Sequence, residues 1–102
     1  MKYQLVLQWP ASSIQDYDTL IAIEEVLNEQ LDHGSEVDGH DVGSGEINIF
    51  IHTNDPTKTF KAVEVLIGLR GFWTDSRVAY RELAGSNYVV IWPNDLNKFN
   101  IM

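Results

Sequence analysis

Glu46-Ile47-Asn48-Ile49-Phe50-Ile51-His52-Thr53-Asn54-Asp55-Pro56 holds the decisive pattern of this chain. Ile47, Ile49 and Ile51 fall on one side of an extended backbone, and Glu46, Asn48, Phe50 and His52 on the other. Strict alternation with β-branched residues on the apolar side predicts a strand with one buried face. The period then changes. Asp55 is suited to cap a helix and Pro56 to occupy its first position. Phe60, Val63, Leu66 and Ile67 continue at three- and four-residue steps, which predicts a helix to about residue 69, broken by Gly71.

Working toward the N-terminus, Gly43-Ser44-Gly45 reads as a turn and residues 36–42 as a short strand. His33-Gly34-Ser35 ends a preceding helix, with Gly34 fit for a left-handed cap. That helix carries Leu20, Ile23, Leu27 and Leu31 as its apolar stripe, flanked by Tyr17 and Ile21. Glu24, Glu25, Asn28 and Glu29 are expected on its exposed face. Ser12 or Ser13 caps it, with Asp16 and Asp18 near its positive end. Residues 2–9 alternate, with Tyr3, Leu5, Leu7 and Trp9 opposite Lys2, Gln4, Val6 and Gln8, until Pro10 stops the strand.

Working toward the C-terminus, residues 77–83 read as a strand and Ala84-Gly85-Ser86-Asn87 as a turn. A last strand covers residues 88–92 and ends at Pro93. The order is β-α-β-β-α-β-β. Its first six elements predict an α+β, ferredoxin-like βαββαβ two-layer sandwich with an extra C-terminal strand. Residues 1–94 make a single domain and 95–102 a tail, with Phe99 and Ile101 placed to dock.

The charge is uneven along the chain. Of 102 residues, the first 57 contain eleven Asp or Glu and one basic residue, Lys2. Residues 58–102 contain four acidic and six basic residues, so the two parts carry −10 and +2 of the net −8. Phosphate binding needs a basic footprint, so nucleic acid is excluded as a partner, and an anionic membrane is disfavoured for the same reason. A basic protein is the partner such a surface favours. Without cysteine the chain has no disulfide framework, thiol nucleophile or Cys-based zinc site. Gln4 and Gln8 interrupt the apolar start, so no signal peptide is read there. No stretch approaches the roughly 20 apolar residues of a membrane helix. A cytoplasmic protein is the expectation.

Residues 37–46, Val-Asp-Gly-His-Asp-Val-Gly-Ser-Gly-Glu, hold three carboxylates, one histidine and three glycines. The spacing is not that of an EF-hand or a phosphate loop. Ser44 sits between two strands, whereas a nucleophile elbow joins a strand to a helix. If His40 and His52 align across the hairpin, they form with Asp38 or Glu46 a candidate divalent-metal site. Beyond the helices, Asn48, Phe50 and His52 should share an open sheet face with Gln4, Val6 and Gln8. Such a face suits a ligand, a partner or a homodimer. The RNA-reading aromatic motif of sheets in this order is absent. Phe72-Trp73, near Arg70, Arg77 and Arg81, is a candidate minor contact patch.

The run Asp38-Gly39-His40-Asp41, Gly43-Ser44-Gly45-Glu46 and Asn48-Ile49-Phe50 resembles a D-G-x-x-x-G-S-G-E-x-N-I-F segment of small bacterial proteins of this length. The resemblance implies no particular activity. In charge and size the chain is also similar to bacterial immunity proteins that neutralise toxins. Together these observations lead to the expectation of a non-enzymatic acidic binding protein without a cofactor. Glu24, Glu25, Glu29, Asp38, Asp41 and Glu46 would meet a basic partner. The alternative is a small metal- or ligand-binding enzyme built on residues 38–52.

Overall fold

A computed structural model describes residues 2–10, 17–31, 34–43, 45–68 and 76–92. The expectations for Ser12, Ser13, Asp16, His33, Ser44, residues 69–75 and residues 93–102 lie outside the described residues, as do the side chains of Tyr17 and Ile67.

Seven elements follow in the order β1 (Tyr3–Pro10), α1 (Tyr17–Gln30), β2 (Ser35–Gly43), β3 (Glu46–Thr53), α2 (Pro56–Gly68), β4 (Arg77–Glu82) and β5 (Val89–Trp92). The fold is α+β: two helices and one five-stranded sheet, ordered β2-β3-β1-β4-β5, with antiparallel neighbours throughout. β2 is longer than the sequence suggests, because the hairpin with β3 carries it back to Ser35. Among the described residues no helix is long and apolar enough to cross a membrane.

Both helices pack on one face of the sheet. Leu20, Ile23 and Leu27 of α1 and Val63 of α2 join Leu5, Leu7, Trp9, Ile47, Ile49, Ile51 and Val78 in one buried cluster. This is the alternation of β1 and β3 meeting the three-four stripe of each helix. Burying one such aliphatic side chain contributes about 1.5–3 kcal/mol, so the cluster is the main source of stability. Val6 and Ala79 pack with Phe50, Tyr88 and Val90 on the opposite face.

α2 starts as its sequence indicates. The Lys58 amide donates to Asp55 Oδ1 at 3.1 Å, the cap bond to the third helical residue. Beneath it lies a chain of hydroxyls. Thr59 Oγ1 is 2.7 Å from Thr53 Oγ1 and 2.9 Å from Ser35 Oγ, and the Asp55 amide donates to Thr53 Oγ1. These bonds join the end of β3, the start of β2 and the first turn of α2, and they satisfy the buried Thr53 and Thr59.

β2 contains a bulge between Val37 and Gly39, where Gly39 adopts φ of 127°. Below it, Gly39 pairs with Phe50; above it, Val37 pairs with Ile51. Strand side chains alternate, so one extra residue exchanges the two faces. The exchange places Val37 against the core, where Glu36 or Asp38 would otherwise fall. Nothing lies within 4 Å of a Cβ built on Gly39. Gly39→Ala therefore tests backbone strain alone, and should lower unfolding stability by about 1–3 kcal/mol in urea titrations. An unchanged midpoint would show that the positive φ is not needed.

Candidate functional site

The registers of β1 with β3 and β4 assign every side chain on the face away from the helices. Gln4 lies between His52 and Arg81, Val6 between Phe50 and Ala79, and Gln8 between Asn48 and Arg77. β2 adds Glu36 beside His52 and Asp41 beside Asn48. The face is thus banded. An apolar middle row separates two polar rows, and each polar row runs from arginine on β4 to a carboxylate on β2.

The centre of this face is closed. Val6, Gln8, Asn48 and Ala79 are at most 1% exposed, while Phe50 and His52 are half-buried. Asn48 lies on the expected side, yet it is not presented to solvent. Gln8 Nε2 donates to Asn48 Oδ1 at 3.0 Å, and Asn48 Nδ2 is buried without a hydrogen-bond partner among the described residues. The expectation of an open face is corrected accordingly: Phe50 and His52 form its accessible part, and Asn48 does not.

His40 and His52 do not converge. His40 pairs with Ile49 on the helix side, and His52 pairs with Glu36 on the other. Each has a carboxylate of its own. His40 Nδ1 is 2.6 Å from Glu24 Oε1 of α1, and His52 Nε2 is 3.4 Å from Asp38 Oδ2 at the bulge. A carboxylate only accepts, so the short contact puts the His40 proton on Nδ1. Glu46 is turned instead to Arg77, at 3.6 Å. His40, His52, Asp38 and Glu46 are therefore divided among three separate contacts. Among the described residues no group of three histidines or carboxylates is placed to hold a metal ion.

Two of the six acidic residues expected to meet a partner have other roles. Glu24 was expected on the outer face of α1. Its position four residues after Leu20 and three before Leu27 carries it to the edge of the buried stripe, where it meets His40, and its side chain is only 12% exposed. Glu46 is half-buried beside Arg77. Glu25, Glu29, Asp38 and Asp41 are exposed, as expected. Asp18 and Glu36, outside the six expected contacts, are exposed as well.

The exposed carboxylates lie on the β2 side of the sheet, on its two different faces. β2 forms one margin of the sheet, α1 packs against β2, and the Glu24–His40 contact ties them together. Asp18, Glu25 and Glu29 belong to α1 in the helix layer, Glu36 and Asp41 to the opposite face of β2 and Asp38 to its bulge, with no lysine or arginine on either element. Arg77 and Arg81 stand on β4, beyond β3 and β1. The lopsided charge of the sequence has become a charge difference across the sheet. Trp9 is buried and Trp92 packs against the same core, so neither is an exposed anchor. Phe72, Trp73 and Arg70 lie outside the described residues.

Set against known protein families, curated proteins and solved structures, the chain matches none.

The two histidine contacts differ in burial, and the difference is measurable. A double-mutant cycle of Glu24→Ala and His40→Ala should give a coupling of about 1–2 kcal/mol, since an enclosed charged hydrogen bond is strong. The same cycle on Asp38 and His52 should stay within about 0.5 kcal/mol, because Asp38 is half exposed to water. Equal couplings in urea unfolding would contradict this ranking.

Proposed function

We propose that this chain is a non-enzymatic binding protein that presents the α1–β2 flank to a basic protein partner. The observation carrying the proposal is six exposed carboxylates on two adjoining elements that contain no basic residue. Such a surface attracts a positively charged partner over several ångströms and orients it before contact. An immunity-type protein that engages a basic toxin belongs to this class, and a cytoplasmic location goes with it. The hairpin enzyme reading lacks a comparable observation, since its four residues are spread over both faces.

The finer reading of the fold is ferredoxin-like. The order β4-β1-β3-β2 supports it: β3 separates β1 from β2, and β1 separates β3 from β4, as two interleaved split β-α-β units require. β5 then extends the sheet beside β4. In this reading the acidic flank is the margin formed by β2, and the scaffold holds it rigidly through α1.

Affinity capture from the native cell extract tests the proposal. The bait is the intact chain, and the control bait carries Glu25→Gln, Glu29→Gln, Asp38→Asn and Asp41→Asn. The intact chain should retain a basic protein that the control releases. With that protein purified, association should slow about tenfold between about 50 and about 300 mM salt, while Glu64→Gln on α2 leaves it unchanged. Equal retention by both baits, or association indifferent to salt, overturns the reading.

A further inference from the structure

Asp38 is the one residue of β2 that the hairpin register passes over. Val37 pairs with Ile51 and Gly39 with Phe50, which makes Asp38 the extra residue of the bulge. Its side chain is 52% exposed, and His52 Nε2 is 3.4 Å from its Oδ2. Gly39 follows with φ of 127°, and nothing lies within 4 Å of the place a Cβ would take there. Of all the aspartates and asparagines in the chain, Asp38 alone precedes a glycine.

An aspartate carries an electrophile, Cγ, within reach of a nucleophile, the amide nitrogen of the next residue. Joining them closes a five-membered ring. In most Asp-X steps of a strand the next side chain screens that nitrogen, and the ladder fixes both residues. The screen is missing here, because glycine has no Cβ. The ladder is interrupted as well, since the bulge leaves Asp38 outside the register. The leaving group is the remaining obstacle. A carboxylate does not expel a bare oxide, so ring closure needs two protons on the departing oxygen. The Gly39 N–H supplies one. The imidazolium of His52 supplies the other, directly or through one water.

We propose that Asp38-Gly39 is a self-modification site, where Asp38 converts to isoaspartate through a cyclic succinimide. The bond from Gly39 N to Asp38 Cγ forms, one Cγ–O bond breaks, and the oxygen leaves as water. A second water then opens the ring, returning one proton to the nitrogen and one to the imidazole. Opening at Cγ restores aspartate. Opening at the Asp38 main-chain carbonyl carbon leaves the chain running through Cβ and Cγ, with the old main-chain carbonyl as a carboxylate. Nothing is oxidised or reduced, and the negative charge is kept. The backbone gains one atom at the bulge that turns Val37 toward the core, so conversion loosens β2. This inference does not depend on a basic partner, and either can fail alone.

The test holds the intact chain at physiological temperature and about pH 6, near the ordinary range of imidazole, for several weeks. Peptide mapping with electron-transfer fragmentation then distinguishes the two linkages at each aspartate. Isoaspartate should accumulate at position 38 ahead of every other aspartate, including Asp41 on the same strand. His52→Gln should slow it about tenfold with an unchanged circular dichroism spectrum, less than a fully enclosed proton donor would give because Asp38 is open to water. Gly39→Ala should slow it further by restoring the screen. The isoaspartate form, separated by chromatography, should unfold at a lower urea concentration than the parent. No isoaspartate at position 38 overturns the proposal, as does faster conversion at another aspartate or an unchanged rate in His52→Gln. An isoaspartate form as stable as the parent overturns its link to Val37.

Discussion

Every other strand is placed by its relation to β1. It lies at the centre of the sheet, with β3 registered over eight positions on one side and β4 over six on the other. Five consecutive residues, Leu5 to Trp9, are buried. A strand covered on both faces cannot slip without moving its whole apolar set out of the core. The polar exception makes the register stricter. Gln8 is buried opposite Asn48 and donates to it, so a one-residue shift would leave a buried amide facing the isoleucines of β3. The helices then have one position available, because only the face of Leu5, Leu7 and Trp9 offers a continuous apolar surface.

The elements were legible because their periods are clean. The isoleucines of β3, the Asp55-Pro56 start of α2 and the stripe of α1 each name their own conformation, and the structure has them there. The separation of His40 and His52 was also within reach of the sequence. The hairpin pairs Gly43 with Glu46, leaving a two-residue loop. Even-numbered residues of β2 near that loop then share a face with odd-numbered residues of β3. Two even-numbered histidines must fall on opposite faces. The bulge was harder to see. Gly39 lies among three glycines, and only the need to bring Val37 inward distinguishes it from the others. Closure of the far face was not legible at all, since alternation in β1 describes one side of a strand and says nothing of what covers the other.

Charge followed the same division between what a sequence holds and what a fold decides. The stretch without lysine or arginine is a fact of the sequence. Its effect depends on α1 lying against β2, which brings two acidic segments separated by a loop to the same side of the sheet, one in the helix layer and one on the strand. Had α1 packed over β4, its carboxylates would have lain on the same side of the molecule as Arg77 and Arg81, and the charge difference across the sheet would have been smaller. The fold also removes charges from the surface count. Glu24 and Glu46 are acidic in composition yet are held by His40 and Arg77. A single sequence cannot separate a carboxylate that steers a partner from one that joins two elements, because helix position places Glu24 only at the boundary between buried and exposed.

On the proposed reading, the composition of the flank bears on the kind of complex it makes. Exposed carboxylates raise association rates and select against acidic competitors, but each contributes little to the lifetime of a complex in water. Lifetime comes from a few desolvated anchors, usually apolar or aromatic. The described residues of α1 and β2 offer one large exposed apolar side chain, Val42, which is 55% exposed next to Asp41. Carboxylates around a single small anchor favour fast arrival and fast departure at physiological salt. A partner held for long would have to bring its own apolar group to Val42, or take up the outer margin of β2 as an added strand. The bulge at Gly39 limits the second route, because a kinked edge pairs poorly with a straight strand. The remaining regular length, Gly39 to Gly43, contains both Asp41 and Val42 on its opposite faces, so an added strand there would have the charge on one side and the apolar anchor on the other.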